Sequence, residues 1–264
     1  MMYVVTGSDG FIGSHFKKEF NSVISVEKHD AYEFLDTFNK WEDIELIIHQ
    51  GAISDTREDD EEKLKKFNID FSIKIFEKSI KHKIPISYAS TAAIYGNKLN
   101  QINPLNKYAS SKLEIDNWVK ENINRFVKIQ GFRYFNVFGE NEEHKIKIGQ
   151  ASPVSTFIHQ AKEHGLIKLF EGSEEYLRDF IYVNDIVRCV LDNQLSSGIY
   201  DLGTSEPVSF EYIGRLIAKK FNVEVEYIPF PKDLKDKYQT YTCSNTSWDS
   251  YKFTTVSEYL DTII

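Results

Sequence analysis

The chain has 264 residues, 41% of them apolar and 27% charged, with a formal net charge of −8. That composition excludes a disordered tail, a fibre and a low-complexity linker, and suits one large domain or two modest ones. No apolar run reaches the ~18–20 residues of a membrane span, no N-terminal stretch reads as a signal peptide, and no long basic run offers itself to nucleic acid or an anionic membrane. Two cysteines, Cys189 and Cys243, provide neither a disulfide framework nor a metal-ligand spacing. The expectation is therefore a cytoplasmic protein of a reducing compartment, with no metal site.

In chain order, Tyr3 to Thr6 reads as a buried strand, and a helix follows from about Phe11 with Phe16 and Phe20 on one face. Residues 23–26 and 44–48 are further strands. The acidic run from Arg57 to Glu62 leads into a long helix whose Leu64, Phe67, Phe71 and Ile75 share a face. A strand over 84–88 carries Pro85 near its start, where a parallel sheet tolerates it. A helix bearing Leu113, Trp118, Val119 and Ile123 precedes a strand around 127–129. Short apolar runs alternating with helical periods are βαβ units, so the class is α/β with a parallel sheet. Beyond Phe138 the polar, lysine-rich stretch 139–149 reads as a loop. Ser152-Pro153 is a cap followed by proline at the first helical position. Strands near 167–170, 180–183, 199–202 and 223–228 then alternate with helices near 185–194 and 209–221, and Thr255 to Glu258 forms a capping box for the last helix. The expected division is a nucleotide-binding domain over 1–142, taking in part of 179–202, interleaved with a smaller substrate-binding domain over 143–264.

Thr6 to Gly13 joins the first strand to the first helix with glycines spaced G-x-x-G-x-x-G, a variant of the dinucleotide fingerprint. Gly7 suits a tight turn, Gly10 a close approach to pyrophosphate and Gly13 close packing of helix on sheet. Asp9, Phe11 and Ile12 complete the turn. Glu27 ends the second strand 20 residues after Gly7, where a carboxylate binds the adenosine ribose hydroxyls. Its charge repels a 2′-phosphate and favours NAD; Lys28 beside it could hold that phosphate, so NADP stays open. The competing reading is a glycine-rich turn without a ligand.

Tyr108 and Lys112 lie four apart at the start of a helix, hence on one face. An ammonium there is expected to lower the phenol pKa from about 10, letting Tyr108 exchange a proton with a substrate hydroxyl while a hydride moves. Thr91, at the end of the preceding strand, is the expected hydroxyl partner. The spacing alone also describes a solvated lysine beside a packing tyrosine; the order discriminates, with a glycine turn first, then Ser90-Thr91, then Tyr-x-x-x-Lys.

In that order the chain resembles the extended short-chain dehydrogenases/reductases, the class that includes nucleotide-sugar epimerases and dehydratases. The resemblance implies a Rossmann-type doubly wound parallel sheet with a smaller α/β C-terminal domain, a tightly bound NAD or NADP, and a homo-oligomer. It adds Gly51 and Ala52 of the stretch His49-Gln50-Gly51-Ala52, Asn68, Ser90 and Phe135 to the cofactor-binding residues, with Asn68 fixing the local conformation.

Within that class, GFRYFNVFG over 131–139 followed by His144-Lys145, the stretch from Lys168 to Val183, and that from Ile228 to Gln239 resemble the ADP-heptose 6-epimerases. The implied reaction oxidises C6 of a nucleotide-linked heptose and returns the hydride to the opposite face. Such an inversion calls for two proton-transfer groups, Tyr108 and Lys145. Glu142 and Glu143 are expected to hold Lys145 charged, against the needs of a base. Arg178 matches a diphosphate-gripping arginine, with an ion pair to Asp179 as the competing reading. Asn136, Phe170, Glu171, Tyr238 and Gln239 are further substrate-pocket candidates. Cys189 and Cys243 are read as core or neutral surface positions, and His49 as a packing residue at a strand end. The segments 28–48 and 97–107 are short for the family. A UDP-hexose 4-epimerase would share Tyr108 without needing Lys145; a dehydratase is disfavoured by Ala92 and Ala93 where an acid pair belongs; a non-catalytic dinucleotide scaffold would not need Thr91, Tyr108 and Lys112 intact.

Overall fold

A computed structural model of the chain describes residues 2–97, 101–231 and 239–263. The first half alternates strand and helix as the apolar runs imply: β1 (Met2–Thr6), α1 (Phe11–Lys18), β2 (Val23–Val26), α2 (Ala31–Thr37), β3 (Ile44–His49), α3 (Glu61–Leu64), α4 (Phe71–His82), β4 (Ile86–Thr91), α5 (Lys107–Asn122) and β5 (Ile129–Tyr134). The second half adds β6 (Asn136–Phe138), α6 (Glu143–Lys147), α7 (Pro153–His164), β7 (Leu166–Phe170), β8 (Leu177–Arg178), β9 (Phe180–Tyr182) and α8 (Val183–Asp192). It closes with β10 (Gly198–Leu202), β11 (Val208–Ser209), α9 (Phe210–Phe221), β12 (Glu224–Ile228) and α10 (Val256–Thr262).

Six strands form the main sheet in the order β10-β5-β4-β3-β1-β2, with β1 parallel to β2 and β3, and β3 parallel to β4. The chain leaves β1 toward β2 and returns past it to β3. That reversal is the switch point of a Rossmann-type sheet, where the strands' carboxyl ends part and a ligand crevice opens. The short segment after β2 has room only for α2 and a 3₁₀ turn over Trp41–Asp43, so β2 is the sheet's edge.

The chain divides into two compact units. The first comprises residues up to Ile94, Pro104–Arg133 and Val190–Tyr200. Its core holds Val4, Ile47, Ile75, Phe76, Ile86, Tyr88, Ile115 and Val119, none more than 1% exposed. Each such side chain contributes about 1.5–3 kcal/mol by leaving water. The second unit comprises Tyr95–Asn103, Tyr134–Cys189 and the chain from Asp201 onward. Its core gathers Phe138, Ile167, Leu169, Phe180, Ile213, Ile217 and Leu260. Gly214 lets α9 approach β7, since a Cβ there would stand 2.8 Å from Leu169 Cδ2.

Some expectations change. α1 stops at Lys18, so Phe20 is not on its face and instead stacks on Tyr3 at 3.9 Å. The long helix is interrupted by a π-helical turn over Lys65–Asp70. β4 begins at Ile86, after Pro85, and runs on to Thr91. The stretch 139–149 is not all loop: α6 forms within it. Ser152 caps α7 as expected, its side chain accepting from Ser155 N, and Thr255 with Glu258 makes the full capping box of α10.

Candidate active site

β1 delivers Thr6 and Gly7 to the carboxyl edge of the sheet. Gly7 has φ +65°, and an added Cβ would lie 2.8 Å from Gly51 Cα, so both its backbone conformation and its neighbour require glycine. A Cβ at Gly13 would stand 2.0 Å from the Gly7 carbonyl oxygen, which ties the start of α1 to the turn below it. Gly10 caps α1 without a side chain, leaving the first-turn N–H groups and the positive dipole end to an anion. Glu27 Oε1 accepts from Ser8 Oγ and from Asp9 N, both at 2.9 Å, so the carboxylate is fastened to the glycine turn. The Asp9 carboxylate takes Lys17 Nζ at 3.1 Å, and Lys28 is exposed with its Nζ 5.7 Å from the Phe67 ring. Phe11 is buried, while Ile12 and Ala52 are half-buried. Gln50 Nε2 and Oε1 and Ser90 Oγ are buried without a hydrogen-bond partner. Such atoms cost about 1–3 kcal/mol each unless something polar reaches them. The glycine cradle and these unpaired groups fit a bound dinucleotide.

Asn106 caps α5, accepting from Ala109 N at 2.8 Å, which places Tyr108 in the first turn and Lys112 one turn on. Tyr108 is half-buried and hydrogen-bonds the Thr91 side chain. Thr91 Oγ1 also accepts from Ala93 N at 3.2 Å. The expected lowering of the phenol by Lys112 does not occur. Burial pushes the Tyr108 pKa up, with the Thr91 hydrogen bond opposing it. Burial likewise pulls Lys112 down to about 8, with Asp116 opposing. Lys112 is buried and Tyr108 partly so, and desolvation penalises phenolate and ammonium alike.

His49 does more than pack. Its Nδ1 lies 2.6 Å from Thr6 Oγ1 and its Nε2 2.8 Å from Ser72 Oγ, and Ser72 donates to the Asn68 carbonyl at 2.5 Å. Because Ser72 donates onward, it accepts from His49 Nε2–H, leaving Nδ1 to accept from Thr6; Thr6 in turn accepts from Gly51 N at 3.0 Å. The ring is neutral: burial, then the charge of Lys112, lowers its pKa to about 3. This relay runs from the glycine turn to the π-helical turn. There Asn68 bonds both N and O of Ile53, at 2.8 and 3.0 Å, and donates to Ser111 Oγ at 3.0 Å.

In the second unit, Asn136 N donates to Asp179 O and Phe135 N to Leu202 O. The competing reading of Arg178 fails. The Asp179 carboxylate is taken up by Thr204 N and Oγ1, Ser205 N and Ser244 N at 2.7–3.0 Å. Arg178 instead donates to the carbonyls of Leu177 and Gln239 and lies over the Phe210 ring at 5.3 Å. Gln239 Nε2 donates to Gly96 O at 2.8 Å, and Phe170 meets Phe230 edge-on at 5.2 Å. Glu171 is exposed; Tyr238 lies outside the described residues. Glu142 does not hold Lys145 above its usual range: burial pulls the Lys145 amine down, with Glu142 opposing. The Glu142 carboxylate is occupied by Gly139 N, Ser152 N, Ser152 Oγ and Ser155 Oγ.

A Rossmann-type sheet with a glycine-rich turn and a Tyr-x-x-x-Lys helix defines the architecture of an extended short-chain dehydrogenase/reductase. The chain belongs to the NAD dependent epimerase/dehydratase family, whose sequence pattern matches residues 3–201. It is 35% identical to the ADP-L-glycero-D-manno-heptose-6-epimerase of Brachyspira hyodysenteriae over 91% of this chain and 88% of that protein. The crystal structure of Helicobacter pylori ADP-L-glycero-D-manno-heptose-6-epimerase superposes with a TM-score of 0.81 at 25% identity, covering 98% of this chain and 94% of that one. Thermotoga maritima UDP-glucose 4-epimerase reaches 0.82 at 22% identity over 98% and 96%, a likeness of fold alone. Among the described residues no helix is long and apolar enough to cross a membrane.

Proposed function

We propose that this protein is an isomerase, a nucleotide-sugar epimerase that inverts C6 of ADP-glycero-manno-heptose by transient oxidation and re-reduction. The 35% identity to a heptose epimerase over 91% of the chain carries this reading, since backbone similarity alone extends equally to hexose epimerases. The enzyme acts in the cytoplasm as a homo-oligomer and keeps its cofactor through turnover. When bound, NAD, or NADP by way of Lys28, supplies a reversible hydride acceptor. Gly7, Gly10 and Gly13 hold its phosphates, and Glu27 its adenosine ribose. Gly51, Ala52, Asn68, Ser90 and Phe135 complete its site.

On this reading Tyr108 exchanges the C6 hydroxyl proton at one face, with the Thr91 hydrogen bond favouring its phenolate against burial, and Lys112 stands one turn on along the same helical face. Lys145 serves the other face. Its lowered pKa lets the amine be neutral for part of the cycle, as a base must be. Arg178 holds the diphosphate, and Asn136, Phe170, Glu171 and Tyr238 line the sugar.

The test is NMR of purified protein with ADP-D-glycero-D-manno-heptose and no added cofactor. Appearance of the L-glycero epimer establishes reaction and resident cofactor together. No change over hours, with cofactor present, discards the heptose and sends the search to UDP- and GDP-sugars.

A further inference from the structure

Behind Lys112 lies a charged group that the proton-transfer scheme does not use. Asp116 follows Lys112 by four residues on α5, so Tyr108, Lys112 and Asp116 form one ladder along a single helical face. Asp116 is 0% exposed and Lys112 2%. Two neighbouring strands hold the carboxylate: Tyr88 of β4 donates to Oδ1 at 3.0 Å, and Arg133 Nε of β5 to Oδ2 at 2.9 Å. Tyr88 reaches it because residue 131 is glycine; a Cβ there would stand 2.4 Å from the Tyr88 ring and hydroxyl. The first three positions of the GFRYFNVFG stretch thus acquire a purpose: Gly131 admits Tyr88, Phe132 packs in the core, and Arg133 pairs with the carboxylate.

A buried ion pair such as Asp116–Arg133 is not a reliable source of stability, because desolvation offsets its attraction. Its position one turn behind a buried ammonium suggests another use. We propose that Asp116 is the positioning residue of Lys112, a carboxylate pinned by Tyr88 and Arg133 so that the lysine stays charged and extended toward Tyr108. Among the described residues the groups that bear on Lys112 are Asp116, one turn on along its own helix, and, through Asp116, Tyr88 and Arg133; the lysine's own charge acts on neutral His49 of β3. Of these, Asp116 is the one that raises the Lys112 pKa against the lowering effect of burial. The inference rests on the reading of Tyr108 and Lys112 as the reacting pair.

The test follows the Lys112 side chain directly, by NMR titration of full-length protein labelled with [13C]lysine and assigned with Lys112→Arg. The wild-type midpoint is expected at about 8. In Asp116→Asn, which keeps the shape and removes the charge, the midpoint moves to lower pH. Each pH unit of that movement lowers the charged fraction above the midpoint about tenfold, and the alkaline limb of turnover moves with it. An unmoved midpoint in folded Asp116→Asn overturns the proposal. A moved midpoint with an unmoved rate profile keeps the role of Asp116 and overturns the catalytic reading of Lys112.

Discussion

Tyr108 and Lys145 place opposite demands on their surroundings, and the structure treats both by the same means. Burial raises the phenol and lowers the amine, so each group rests in its uncharged form more readily than it would in water. An amine in that state can accept a proton, and a phenol can donate one. Lys145→Ala is therefore expected to cut heptose inversion by about 10²–10⁴-fold, the usual contribution of a positioned acid or base, with cofactor still bound. Tyr108→Phe is expected to act on the same scale. Near-normal turnover of Lys145→Ala, measured by the NMR assay, would remove the second base from the scheme. At this scale the sequence was informative where near neighbours in the chain set the backbone, as at Gly7 and Gly13, and it misjudged the effect of Lys112 on Tyr108, which burial decides. It was silent about Gln50 and Asp116, and misleading about His49, because their partners lie on other elements: Thr6 and Ser72 are 43 and 23 residues from His49.

Elements with strong periodicity were legible, and short ones were not. α2 and α6 are two turns or fewer, with no stripe long enough to register, while the π-helical turn at Lys65–Asp70 leaves the apolar spacing around it nearly helical. The cap of α7 was legible in Ser152-Pro153, but not its reinforcement by Glu142. That carboxylate, 3% exposed, accepts from Ser152 N, Ser152 Oγ and Ser155 Oγ at 2.7 Å each and from Gly139 N at 3.3 Å, binding the segment that carries Lys145 to the helix that follows it. Glu142→Gln puts an amide donor among donors. It is expected to cost about 2–3 kcal/mol, read as a lower thermal midpoint, because charged hydrogen bonds are lost and buried donors are left unmet. A stability within about 0.5 kcal/mol of wild type would mean that the four contacts are not formed in solution.

At the scale of the whole molecule interleaving was legible in the sequence but its boundaries were not: Tyr134 to Glu142 joins the second unit although Tyr134 closes β5 and the rest follows it directly. The first unit depends on burying His49 neutral, and this ties its stability to pH. In the fold the imidazole stays uncharged down to about pH 3, whereas in an unfolded chain it takes up a proton near 6.5. Between those values the unfolded state binds more protons. The contribution is complete above about pH 6.5 and is lost as pH falls, by up to about 1.4 kcal/mol per pH unit. Lys112 adds no slope there, because its midpoint of about 8 leaves it charged in both states below that pH. Carboxylates titrate mostly below about pH 5. The interval from about 6.5 to 5 therefore reports on histidines: His49 and, in the same direction, His82, whose pKa burial and the neighbouring Lys81 and Lys78 also lower. Wild-type protein is expected to lose about 2–5 °C in thermal midpoint per pH unit across it. His49→Asn should start less stable, having lost the Thr6–Ser72 relay, but show a shallower profile over the same interval, the remaining slope being that of His82. An equal slope in both proteins would place the acid sensitivity elsewhere and show that the imidazole is reached by water.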